Sequence, residues 1–314
     1  MRHASIISAA RLPANAETAC NLSRFRMIFY PSPATQHLIK QAFQGDLLMN
    51  QKHFISRRDA LRSTLLGLGI VSLSLGVARA AGPHGQAANL LAPGAKTLQA
   101  LSQRLAVLPR RRDFKTVPMI LTAPDQWDNE ALDEVLQYAG GPKQVWDNTD
   151  LAGPWLNLMR NAMNVQIWSF KHPDFLAVSA THGNAHLALY DEMIWDKYGF
   201  AKLTKDKFKT NTFLISPPAS KANPTDFENT KGVFSPYDNS ITVLQKRGVL
   251  FLACHNEIWE LTMALHNKGV NPDHLSHEQM AAEFTNHLIP GVILTPGMVG
   301  TLVELQNVGY RYAS

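Results

Sequence analysis

Cys254 ends the apolar run Gly248–Ala253 and precedes what reads as a helix, Asn256–Asn267. A thiol at such a junction faces helical N–H groups and the positive end of the helix dipole, and both favour its anion. The chemistry that suits this position is that of a reactive or ligating sulfur. A histidine nearby would favour the thiolate further. His255 is next in the chain, but adjacent side chains diverge on a strand or a helix. His182, at the end of the apolar run Phe175–Ala180, is the better neighbour. The plain alternative is that Cys254 is a small buried hydrophobe, common for a free cysteine. The sequence leaves both readings open.

Other residue types narrow the chemistry. His182 and His186 are four apart and, with Cys254 or His255, would make a soft nitrogen and sulfur metal set. The chain has no HExxH and no CxxC pair, so no metal and no cofactor is assigned. Glu257 falls in the first turn of the helix after Cys254, where a carboxylate is favourable anyway. That is its reading, rather than general base; Glu260 lies on the same helix. Trp155, Trp168, Trp195 and Trp259 fall within helix stripes and read as core or subunit-interface packing. No glycine-rich phosphate loop and no Gly-x-Ser-x-Gly elbow occurs, which argues against a nucleotide enzyme or a serine hydrolase.

These groups need elements to position them. The spacing predicts helices over 97–108, 128–138, 153–168, 184–198, 241–247, 256–267 and 276–287. A final helix runs to Val308, with Pro296 at its first position and Thr295 as its cap. Strands are predicted at Val117–Thr122, Phe175–Ala180, Gly248–Ala253 and Val292–Thr295. Tyr310–Tyr312 alternates as a half-exposed edge strand does. Residues 201–236, rich in Lys, Asn and Pro, read as a surface excursion. Strands alternating with helices argue for an α/β fold with a mainly parallel sheet and helices on both faces. Ligands in such sheets bind beyond the carboxyl ends of the strands, where His182 and Cys254 both fall.

The N-terminal region has a different character. Arg57-Arg58, the apolar stretch Leu65–Val77 and Ala78-Arg79-Ala80 follow the order of a twin-arginine export signal, with cleavage expected after Ala80. Met49 makes a natural start for that signal, so residues 1–48 read as an upstream extension, not native or disordered. Residues 1–80 hold ten Lys/Arg against three Asp/Glu, a net of +7. Residues 81–314 hold twenty against twenty-two, a net of −2. The pI of about 9.2 therefore belongs to the leader and not to a nucleic-acid surface. Arg110–Arg112 reads as a solvated turn. Residues 81–116 read as a flexible tether and short helix, and 117–314 as one domain. Periplasmic location, with no stable membrane anchor after cleavage, is the expectation. Beyond residue 80 Cys254 is the only cysteine, so no disulfide forms within the mature chain, and an unpaired thiol in an oxidising compartment needs a reason.

Three segments resemble the DsrE/DsrF-like family of sulfur-relay proteins. "GVLFLACHN" at 248–256 is similar to the strand that delivers that family's cysteine. "TPGMVGTLVELQNVGYRYA" at 295–313 is similar to its C-terminal ending, and "FLAVSATHG" at 175–183 to an earlier strand ending in His-Gly. The resemblance covers about residues 153–314. It implies a three-layer α/β/α sandwich that assembles as a trimer or hexamer. It also implies a cysteine that carries sulfur as a persulfide, with a donor or acceptor protein or a small thiol as partner. Only Cys254 matches the carrier position. The expectation is an exported protein that binds or relays sulfur through Cys254, with His182 and His255 as its catalytic neighbours. The alternatives are a small-ligand or metal-binding module without turnover, and an accessory protein whose cysteine is inert.

Overall fold

A computed structural model describes residues 90–215, 223, 225–235 and 240–314. The export signal and the upstream extension lie outside the described residues. Five strands form one parallel sheet: β1 (Lys143–Asn148), β2 (Leu176–Thr181), β3 (Leu250–Cys254), β4 (Ile293–Thr295) and β5 (Arg311–Ala313). Their spatial order is β4-β3-β2-β1-β5. The helices are α1 (Lys96–Val107), α2 (Asn129–Leu136), α3 (Trp155–Asn164), α4 (Glu192–Lys197), α5 (Phe200–Leu203), α6 (Ile241–Lys246), α7 (His255–Asn267), α8 (His277–Asn286) and α9 (Met298–Asn307).

Side chains alternate across each strand, so β3 feeds two separate cores. Leu252 and Cys254 face one core with Val178 and Ala180 of β2, under Leu98, Leu101 and Leu105 of α1, Val135 of α2 and Leu305 of α9. Phe251 and Ala253 face the other, under Met159 and Met163 of α3, Ile258 of α7 and Phe284 of α8. Each of these large apolar side chains stabilises the fold by roughly 1.5–3 kcal/mol on burial. β2 is buried along its whole length, which explains its mostly apolar sequence. The α/β class, the parallel sheet and the helices on both faces agree with the sequence reading.

Several elements differ. The strand expected at Val117–Thr122 is an irregular segment, with Met119 and Ile120 exposed. Pro118 has no N–H for a ladder, and the Val117 N–H goes instead to the Glu278 carbonyl at 3.2 Å. The strand that fills the sheet is β1, whose Lys-Gln-Val-Trp-Asp-Asn carries only one apolar side chain that is fully buried, Val145. The boundary expected at residue 117 is not a boundary in the fold. Residues from Leu90 onward are built in, and α1 buries its leucines in the sheet's core. The helix expected over 184–198 is split. A 3-10 turn, Gly183–Leu189, ends at Tyr190, and α4 restarts where the Asp191 carboxylate accepts the Ile194 N–H. The 201–236 excursion returns to the core through the buried Asn211, Val233, Phe234 and Ser235. β5 is the half-exposed edge strand expected at the C-terminus. Among the described residues, no helix is long and apolar enough to cross a membrane.

Candidate functional site

The carboxyl ends of β1 to β4 bring together Asp147, His182, Cys254 and Thr295. Cys254 pairs with Thr295 in the ladder. His182 and Cys254 each follow by one residue the paired Thr181 and Ala253. Cys254 is the residue on which α7 starts. It also meets the start of α9. The expected cap there, Thr295 before Pro296, is replaced by Gly297, and the helix begins at Met298. A Cβ at Gly297 would lie 2.8 Å from the Asn256 side-chain nitrogen, so the two helix starts lie close together here. As a result the Met298 N–H donates to the Cys254 sulfur at 3.2 Å.

The thiol is 5% exposed. Burial pushes it up to about 12, against the opposing pull of the Met298, Glu257 and Asn256 N–H groups. Of those three, only the Met298 contact has hydrogen-bond geometry; the cap of α7 has none from the side chain. The lowered thiol pKa expected from the strand-to-helix position is therefore overturned. The amides are present, but removal of water from the anion outweighs them.

The histidines divide their roles. His182 turns along the strand ends, away from the sulfur, and its Nε2 meets Asp147 Oδ1 at 2.6 Å. Tyr312 on the edge strand donates to the other oxygen, Oδ2, at 2.7 Å. The bond from His182, more than that from Tyr312, holds the Asp147 carboxyl below the usual range. His255 lies next to Cys254 in the chain but its Nε2 faces the Pro118 carbonyl at 2.8 Å. It fastens the irregular 117–120 segment rather than the thiol.

His186, which the sequence offers only as a member of a metal set, is fully buried and is the histidine bonded to the Cys254 residue. Its Nε2 accepts the Cys254 backbone N–H at 3.1 Å. The accepting nitrogen carries no proton, so the proton is on Nδ1. Burial, then the charge of His182, holds His186 down to about 3, so it is neutral. Its Nδ1 and the Tyr190 hydroxyl are buried without partners, and the two rings lie 5.2 Å apart. Tyr190 lies within the electrostatic reach of Glu257 and Cys254, though burial is the main cause of its high pKa. Glu257 does more than sit in a first turn. Its Oε2 accepts the Gly183 N–H at 2.9 Å and ties the end of β2 to the start of α7. Glu260, one turn on, is lifted to about 7 by burial and by Glu257.

Sequence reasoning missed Asp147, His186 as a partner of β3, and Tyr190. Asp147 lies in the strand that went unread. Tyr190 follows a 3-10 turn that the helical periodicity concealed. Among the described residues, no three His, Cys, Asp or Glu side chains are placed to hold a metal ion. No family model, curated protein or solved structure matches this chain.

Proposed function

We propose that this chain holds and passes on sulfur at Cys254, as an exported DsrE/DsrF-like carrier. The observation that supports this reading most is the meeting of two helix starts at one sulfur, with the Met298 N–H donating to it. Such donors stabilise sulfur as an anion once water leaves the site. The step is an exchange between sulfurs. The Cys254 thiolate attacks the outer sulfur of a persulfide donor, R–S–SH. The Cys254 S–S bond forms, the donor's S–S bond breaks, and the donor departs as the thiolate R–S⁻. The reverse step loads an acceptor thiol. The Cys254 proton would leave to water when the site opens, because His182 is turned to Asp147 and away from the sulfur. Burial keeps the resting thiol protonated, so the uncharged cysteine is protected between transfers. Assembly as a trimer or hexamer belongs to the same reading.

The same burial favours a second reading, an inert core cysteine in an accessory protein. The intact mass of protein purified without reductant separates the two. A carrier shows a fraction heavier by one sulfur, which a reductant removes and Cys254→Ser abolishes. A mass that stays at the unmodified value, even after incubation with a small-molecule persulfide, leaves the inert reading. N-terminal sequencing tests the export element, with Ala81 expected first; an intact leader on the exported protein would remove it.

A further inference from the structure

At the opposite end of β3 two arginines are buried together. Arg247, just after α6, is 2% exposed, and Arg160 on α3 is 5% exposed. Among the described residues, every group that accepts from them is neutral. Arg160 Nη1 donates to the Phe234 carbonyl at 2.8 Å, and its Nη2 donates to the side-chain oxygens of Asn161, at 3.0 Å, and Asn157. Arg247 Nη2 donates to Asn164 Oδ1 at 2.7 Å. The Phe234 ring lies 4.6 Å from the Arg247 guanidinium carbon, a favourable contact that brings no negative charge. Arg160 Nε and Arg247 Nη1 have no partner. None of the ion pairs among the described residues involves either arginine.

A buried charge is tolerated when it is paired. A lysine or histidine in this position would lose its proton, but a guanidinium keeps it at neutral pH. Burial and the charge of Arg160 together bring Arg247 down only to about 9. Two positive charges therefore sit close together among neutral acceptors, each with one buried nitrogen that donates to nothing.

We propose that Arg160 and Arg247 form a buried anion site for a small divalent oxyanion of the sulfate or hydrogen phosphate class. Two charges match two charges, and guanidinium N–H groups suit oxyanion geometry. A monovalent carboxylate would leave one positive charge uncompensated. The site is separated from Cys254 by the length of β3 and does not depend on the sulfur reading.

Titration calorimetry on the full chain, held in chloride buffer, tests this with sodium sulfate and sodium phosphate at matched ionic strength. The expected result is saturable binding of at least one of the two. The melting temperature should rise by about 5 °C or more at a hundredfold excess over Kd. Preference for one of them distinguishes the sulfur from the phosphorus source. Arg247→Met should abolish both responses, and Arg247→Lys should weaken binding about tenfold. Generic salting effects would raise parent and Arg247→Met alike and without saturation; that outcome overturns the site. Acetate binding as tightly as sulfate overturns the divalent assignment. If Arg247→Met does not fold, Arg160→Met and the calorimetry of the parent decide.

Discussion

The two ends of β3 bury polar atoms by different means. At the carboxyl end, Cys254 and His186 are buried as neutral groups. Each can shed its charge, and the sulfur and the Cys254 N–H are both hydrogen-bonded. At the amino end, Arg160 and Arg247 keep their charge at neutral pH, and their partners among the described residues are neutral. A titratable group can adapt to a dry interior by changing protonation state. A guanidinium can adapt only by finding a counter-charge. Around the sulfur, the carboxyl end therefore needs no counter-charge, whereas the amino end calls for an anion.

Leu252→Asp, midway between the ends, should have the largest effect. Leu252 is fully buried among Val178, Ala180 and Leu305. An unpaired carboxylate there should cost at least about 4 kcal/mol and abolish cooperative unfolding. A circular dichroism melt within a degree or two of the parent would show that β3 does not hold the two ends in one core.

The next two predictions use pH, and they run in opposite directions. The Cys254 thiol is raised in the folded state to about 12, from about 8.5 when unfolded. Its burial therefore stabilises fully below about pH 8.5, and that contribution is lost as pH rises toward 12. The stability of the parent relative to Cys254→Ala should fall by up to about 1.4 kcal/mol per pH unit in that window. Denaturant melts at pH 8, 9 and 10 measure it; a constant difference would mean the thiol is hydrated. His186 is lowered in the folded state to about 3, from about 6.5 when unfolded. Its contribution is present above about pH 6.5 and is lost as pH falls toward 3. His186→Gln keeps an acceptor for the Cys254 N–H and should flatten the acid limb. An unchanged limb would place the acid sensitivity elsewhere.

The smallest effect belongs to the more exposed pair. His182→Ala should raise the Asp147 carboxyl toward its ordinary range, because His182 is its main stabiliser. Tyr312→Phe should move it less. Stability should change by less than about 1 kcal/mol in either case. Carbon-detected NMR of the Asp147 side chain follows the titration. The reverse ranking would make Tyr312 the group that orients the carboxylate.

The sequence on its own determined the frame. Mostly apolar runs marked β2 and β3, and their flanks placed His182 and Cys254 at strand ends. Helical spacing found α1, α2, α3, α6, α7, α8 and α9 within a few residues. It did not find β1, because four of its six residues are polar and its partners on both sides are distant in the chain. Nor did it show that α1 closes the core, since amphipathic spacing looks the same on a tether as on a buried helix. Tertiary structure alone decided the chemistry of the sulfur. The strand-to-helix junction is local and predicts a favoured anion, but the desolvation that raises the thiol comes from the core that α1, α2 and α9 pack over its face of the sheet. The same holds for Arg160 and Arg247, which no sequence pattern brings together across that separation. Charge state in a folded protein depends on what surrounds a group in space, and residue order records only what adjoins it along the chain.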